Sequence, residues 1–212
     1  RKTSLDNLPV VAERVQTSTG EVITCDLSLM KDTVDMPLSA FSEELQWVQL
    51  ENSDTALVGG WIRTVIGEKY ILVSNNKQNP FKLFTRDGKF VCNIGAYGQG
   101  PGEYLNTYDQ QLDEANNRIY ILPWNSSKIL AYDLTGKFVG DIPLSLRVPK
   151  GKFRVDTPDS TVTITTLPFS GYPAVVWQQD MHGGKPKQYV KPGHLTVPRD
   201  FSNEINNARN TD

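Results

Sequence analysis

Over most of this chain apolar and polar residues alternate in short runs, and glycine-containing turns cut the runs at short intervals. Lys69-Tyr-Ile-Leu-Val-Ser74 leads to Phe81-Lys-Leu-Phe-Thr-Arg86, then to the turn Asp87-Gly88, then to Lys89-Phe-Val-Cys-Asn-Ile94. A period of two with Val, Ile, Phe and Tyr at the apolar places predicts half-buried strands. The Asp-Gly pair predicts a hairpin, because glycine accepts positive φ without steric cost. The same order returns 48 residues later, where Ile71, Phe84, Gly88, Phe90 and Ile94 match Ile119, Tyr132, Gly136, Phe138 and Ile142 without a gap. Helical periodicity is nearly absent; residues 38–44 alone suggest a short helical turn.

A repeat of this length built only from strands and turns is the signature of β-propeller blades. Each clear copy parses into four strands, at 61–66, 69–74, 81–86 and 89–94 in the first. A weaker third copy has strands at 152–156, 161–167 and 174–179, with His182-Gly-Gly-Lys185 at the place of the earlier turns. The predicted organisation is an N-terminal extension with one strand over 1–38 and a lead-in or ring-closing strand at 39–52. Blades follow at 53–95, 105–143 and, less regular, 151–191, and 200–212 form a polar tail. Glu21 to Leu27 and Leu45 to Leu50 are expected to be strands, at least one of them in a ring-closing blade. Gly95 to Tyr104 holds four glycines and a proline, a composition that suits a crossover between blades, with Gly98, Gly100 and Gly102 as structural turns. No Lys-Ser/Thr follows and no helix begins there, so a phosphate-binding loop is excluded.

Gly98-Gln-Gly-Pro-Gly-Glu-Tyr104, Asn117-Arg-Ile-Tyr-Ile121 and Tyr132-Asp-Leu-Thr-Gly-Lys-Phe138 together resemble an NHL- or TolB-like repeat. More closely, they resemble the six-bladed β-propeller family of extracytoplasmic, often lipid-anchored proteins of gut-type anaerobic bacteria. Residues 38–50 are similar to the lead-in of that family. The resemblance implies a periplasmic or cell-surface location and a lipid anchor upstream of residue 1, and no particular reaction. Six blades at this period need roughly 290 residues, against about three blades' worth here. The expectation is therefore an incomplete ring whose missing part is supplied by further sequence or a second chain. Its open blade edges would favour self-association.

Composition narrows the partners. The net charge of -2 attracts neither nucleic acid nor an anionic membrane surface, and no apolar run approaches the length of a membrane span. Cys25 and Cys92 have no metal-ligand spacing; each shares a strand face with apolar residues and reads as a small buried side chain, with a disulfide as the alternative. His182 and His194 lack the patterns of a zinc site, no nucleophile elbow occurs, and neither a metal nor a cofactor is implied. Glu43-Glu44 and Asp113-Glu114 read as solvated residues, and Asp87, Asp133 and Asp141 as turn residues. Trp47 and Trp177 sit in strand patterns and read as core.

Aromatic residues carry the functional expectation. Trp124 lies in Pro123-Trp-Asn-Ser-Ser127, the loop between the second and third strands of the second copy, where the first copy has only Asn75-Asn-Lys-Gln-Asn79. An indole there could stack on a sugar or peptide, or tuck over the neighbouring blade. Trp61 and Arg63 alternate on an innermost strand, so one of them could face the central channel. The sequence favours a non-enzymatic binding or scaffold protein for a glycan, peptide or protein. The alternative is a propeller hydrolase or lyase whose catalytic groups come partly from other blades.

Overall fold

A computed structural model describes residues 10–18, 20–30, 36–60, 62–74, 79–167 and 172–190. The chain divides into two units, Arg1–Trp47 and Val48–Asp212. In the first, β1 (Ala12–Thr17) and β2 (Gly20–Cys25) form an antiparallel hairpin, in register from Ala12 opposite Cys25 to Thr17 opposite Gly20. Two strands thus stand where the sequence suggests one. The second ends at Cys25 because the Asp26 carboxylate accepts the Ser28 N–H (2.9 Å) and opens a single 3-10 turn at Leu27–Leu29. A second such turn spans Leu38–Ala40.

The second unit holds three four-stranded antiparallel meanders. Sheet one comprises β3 (Arg63–Ile66), β4 (Tyr70–Ser74), β5 (Phe81–Thr85) and β6 (Phe90–Ile94). A two-residue parallel pair, β7 (Ala96–Tyr97) with β8 (Glu103–Tyr104), follows. Sheet two comprises β9 (Thr107–Asp113), β10 (Arg118–Pro123), β11 (Ser126–Tyr132) and β12 (Phe138–Val148). Sheet three comprises β13 (Gly151–Asp156), β14 (Thr161–Thr166), β15 (Val176–Asp180) and β16 (Gln188–Val190).

The sequence repeat is reproduced in register. Ile71 pairs with Phe84 as Ile119 pairs with Tyr132, and both third-to-fourth strand ladders shift at the same place, before Phe84 and before Tyr132. The shift sets Phe84 edge-on to Phe90 with centroids 5.8 Å apart, and Tyr132 to Phe138 at 5.6 Å. Such aromatic pairs stabilise beyond the area they bury.

Strands β4, β5 and β10 and residues 129–132 of β11 are largely buried on both faces, which explains their nearly continuous apolar runs. Ile71, Val73 and Phe84 pack against Ala56, Val48 and Leu50. Leu72, Leu83 and Ile94 pack against Ile119, Ile121 and Tyr132 of sheet two. Tyr120, Leu122 and Ile142 pack against Val155, Ile164 and Trp177 of sheet three.

Side chains of the first strands continue the hydrogen bonding from sheet to sheet. Gln111 Nε2 donates to Val155 O (2.9 Å), and Val155 N–H donates to Gln111 Oε1 (2.8 Å), so one amide imitates a ladder residue. Asp109 accepts the Phe153 N–H (3.0 Å), and Asp113 accepts the Thr157 hydroxyl (2.9 Å). Glu114, with the look of a solvated turn residue, clamps sheet one by accepting the N–H groups of Lys69 (3.1 Å) and Tyr70 (2.9 Å).

Turn glycines seat each sheet on what precedes it. Gly88 (φ +90°) and Gly136 (φ +86°) lie so close to the carbonyls of Gln49 and Asn93 that a Cβ would overlap them. Asn93 belongs to β6, so residues around Gln49 stand against sheet one as β6 stands against sheet two. Residues 45–50 nevertheless form no strand. Their extended backbone is tied instead through Glu51, which donates N–H to Gly88 O (2.8 Å) and accepts the Phe90 N–H (3.0 Å).

Three further expectations need correction. Cys25 is exposed, because its two-stranded hairpin has no covering layer among the described residues. Cys92 is half-buried, and neither cysteine forms a disulfide. Trp47 is 94% exposed rather than core, whereas Trp177 is 1% exposed and lies within the core.

Candidate ligand cleft beside Trp124

Trp124 and Asn125 form the turn between β10 and β11, with Asn125 in the left-handed region (φ +49°) that its short amide tolerates. Neighbouring segments hold this turn on both sides. Trp124 N–H donates to Asn106 O (2.9 Å), and Asn125 N–H donates to Pro149 O (3.3 Å). The Arg147 guanidinium closes the third side by donating to Asn125 O (2.7 Å). On this fixed frame the Trp124 side chain is 53% exposed. It lines an open cleft of about 500 Å³ with the Gly98–Asn106 segment, Ser126–Lys128 and Arg147.

The glycine-rich segment forms the opposite wall and is itself locked. The Tyr104 hydroxyl accepts the Phe81 N–H (2.9 Å) and donates to Ile94 O (2.6 Å), while the Tyr132 hydroxyl donates to Gly102 O (2.9 Å). Burial pushes both tyrosine pKa values well up, so they stay protonated donors. Glu103 turns back to accept the Gly100 N–H (2.8 Å). Gly102 has positive φ (+71°), whereas Gly98 and Gly100 do not. Those two lie against the Glu103 carboxylate.

Of the two described candidates, Trp124 lines this cleft and Arg63 does not. Arg63 sits on β3 and donates to Tyr108 O (2.8 Å), bridging first strands of adjacent sheets. Trp61 and His194 fall outside the described residues. Beyond Tyr108, residues 150–152 and 165–167 line a smaller hollow of about 160 Å³. Nearby, burial raises the Asp109 carboxyl pKa, against the Phe153 N–H and the charges of Lys152 and Arg63.

Among the described residues, Glu103 is the Trp124 cleft's single lining carboxylate, and neither histidine nor cysteine lines it. His182 does not line it, and its N–H is bound to the Asp180 carboxylate (2.8 Å). Cys92 keeps its proton, since burial and then the Asp133 charge push its pKa up to about 11. Among the described residues no three His, Cys, Asp or Glu side chains gather as a metal site, and no helix is long and apolar enough to cross a membrane. Sequence reasoning missed Gln99, Asn106 and Arg147. They lie 18 to 25 residues from Trp124 along the chain, and no local pattern ties them to the indole.

The family model of a domain of unknown function, DUF4934, matches residues 21–173. No curated protein matches the chain. The fold is similar to that of BF0058 of Bacteroides fragilis, a protein described as exported, at 21% identity and a TM-score of 0.58. The match covers 73% of this chain and 44% of that one, so this chain spans less than half of its length. A DUF4221 member from Bacteroides vulgatus matches at 13% identity and TM-score 0.45, over 68% of this chain and 47% of its own. Hydrazine synthase of Kuenenia stuttgartiensis matches at 12% identity and TM-score 0.41, over 57% and 33%. The last two likenesses are too slight to argue from.

Proposed function

The chain belongs to the DUF4934 family, and from that footing we propose that it is an extracytoplasmic, non-enzymatic binding module whose ligand enters the Trp124 cleft. One observation carries the reading: a half-exposed indole is mounted on a turn pinned by Asn106, Pro149 and Arg147. Exposed aromatic surface on a preorganised frame is what recognition uses, because little ordering entropy remains to be lost on binding. The ligand class is a glycan, a peptide or a protein segment. Placement outside the cytoplasm draws on the likeness to a protein described as exported.

The same proposal takes the three meanders as blades of a six-bladed, NHL/TolB-like propeller. Support comes from the repeated register, the side-by-side first strands and the recurring glycine turn seated on the preceding layer. Further sheets, from a longer chain or a second copy, would complete the ring. A lipid anchor upstream belongs to the proposal as well.

A thermal-shift screen of the purified chain against glycans and short peptides tests the binding role. Ligands of this cleft should raise the melting temperature of the wild type and leave Trp124→Ala unmoved, since only binding to the native state stabilises it. Equal shifts in both proteins would place binding elsewhere and sink the reading. Fractionating cells that make the full-length protein tests the location, and a purely cytoplasmic pool would refute it.

A further inference from the structure

We propose that the cleft is a saccharide site for an uncharged sugar, with one ring lying on the Trp124 indole; this deepens the binding-module reading and rests on it. Its charges argue for a neutral occupant. Lys128 Nζ is paired with Asp141 (2.8 Å), Arg147 Nη1 is bonded to Asn125 O (2.7 Å), and Glu103 holds the Gly100 N–H (2.8 Å). Each charged group lining the cleft is thus already engaged within the chain. An ionic ligand would meet Lys128 already paired with Asp141, and in Arg147 and Glu103 two charges of opposite sign on one cleft.

The backbone argues against a peptide. Peptides that add to a sheet need unpaired N–H and C=O groups on an edge. Here the Trp124 and Asn125 N–H groups donate to Asn106 O and Pro149 O, and Asn125 O accepts from Arg147. The walls then offer an aromatic face beside the neutral amides of Asn106 and Asn125 and the Ser127 hydroxyl. That combination suits a sugar ring, whose C–H face packs on the indole while its hydroxyls exchange hydrogen bonds with amides. A volume of about 500 Å³ lies within the range of small-ligand sites.

The test is calorimetric titration of the whole chain with three probe sets. These are neutral oligomers of hexose, pentose and N-acetylhexosamine, oligouronates, and unrelated tetrapeptides. At least one neutral oligosaccharide should bind. Its affinity should fall about tenfold in Trp124→Ala and less in Trp124→Phe, which keeps an aromatic face. Raising the salt from about 0.05 M to about 0.5 M should leave the affinity nearly unchanged. Should Trp124→Ala melt early, Trp124→Phe carries the comparison. Trp124-dependent binding of oligouronates or tetrapeptides alone would overturn the neutral-sugar assignment and leave the binding module standing. Absence of Trp124-dependent binding by every probe would overturn both.

Discussion

The hairpin turns of sheets one and two share a backbone and exchange their side chains. In Thr85-Arg-Asp-Gly-Lys89 the Thr85 hydroxyl donates to the Asp87 carboxylate and accepts the Lys89 N–H (3.1 Å). In Asp133-Leu-Thr-Gly-Lys137 the carboxylate comes first. Asp133 Oδ1 accepts the Thr135 hydroxyl (2.6 Å), the Thr135 N–H (2.9 Å) and the Lys137 N–H (3.0 Å). Gly88 N–H donates to Thr85 O at 2.9 Å and Gly136 N–H to Asp133 O at 3.0 Å, so the framework is the same. The turn therefore demands an oxygen at its first position and a glycine at its fourth. A hydroxyl or a carboxylate meets the first demand, and nothing but glycine fits the second.

Substituting the glycines should break the pair most severely. Gly136→Val should cost about 3 kcal/mol and Gly88→Val about 2 kcal/mol, since a β-branched residue resists positive φ. The difference has a structural source. Gly136 faces Asn93, held in the β6 ladder, while Gly88 faces Gln49, in an extended segment outside any ladder. Urea unfolding midpoints decide it, and a costlier Gly88→Val would contradict this account of the two layers.

Removing the first oxygen comes next. Asp133→Ala should cost about 1 kcal/mol and Thr85→Ala about half of that, because Asp133 accepts three hydrogen bonds and Thr85 accepts one. The Thr135 hydroxyl, and to a smaller extent the backbone N–H groups, holds the Asp133 pKa below its usual value. The folded carboxyl thus releases its proton more readily than the unfolded one, and its contribution is present above the ordinary carboxylate pKa of about 3.9. That contribution disappears as the pH falls through the depressed folded value. In acid titrations the gap between wild type and Asp133→Asn should therefore narrow below about pH 4. A gap that stays constant would remove the carboxylate from the explanation.

Exchanging the two chemistries should matter least. The double replacement Thr85→Asp with Asp87→Thr rebuilds in sheet one the arrangement of sheet two, and should change stability by no more than about 0.5 kcal/mol. A loss as large as that of Thr85→Ala would mean that the two turns are not equivalent.

Much of this was legible because it is local. Alternation and turn chemistry place β4, β5, β6 and β10 within a residue or two, while β11 begins three residues before the Ile129 that the repeat suggests. A strand's period and a turn's glycine depend on neighbours a few residues away. What lies over a strand does not. Alternation gives Trp47 and Trp177 the same look, yet one is exposed and the other fully buried. Ile23 and Val22 of β2 likewise remain exposed, while Ile119 and Ile121 of β10 lie under two layers.

Tertiary structure alone decided the joints and the cleft. Glu114 clamps a turn 44 to 46 residues earlier, and Gln111 bridges a strand 44 residues later. Nothing in their local context marks these side chains off from solvated ones. The Trp124 cleft is of the same kind, since its walls come from a glycine-rich crossover, a hairpin turn and the far end of β12. The sequence by itself determined the main strands and hairpin turns of the two clear repeats, and that Trp124 sits on a loop. Packing decided which surfaces meet, because contacts between sheets join residues whose separation along the chain leaves no periodic trace.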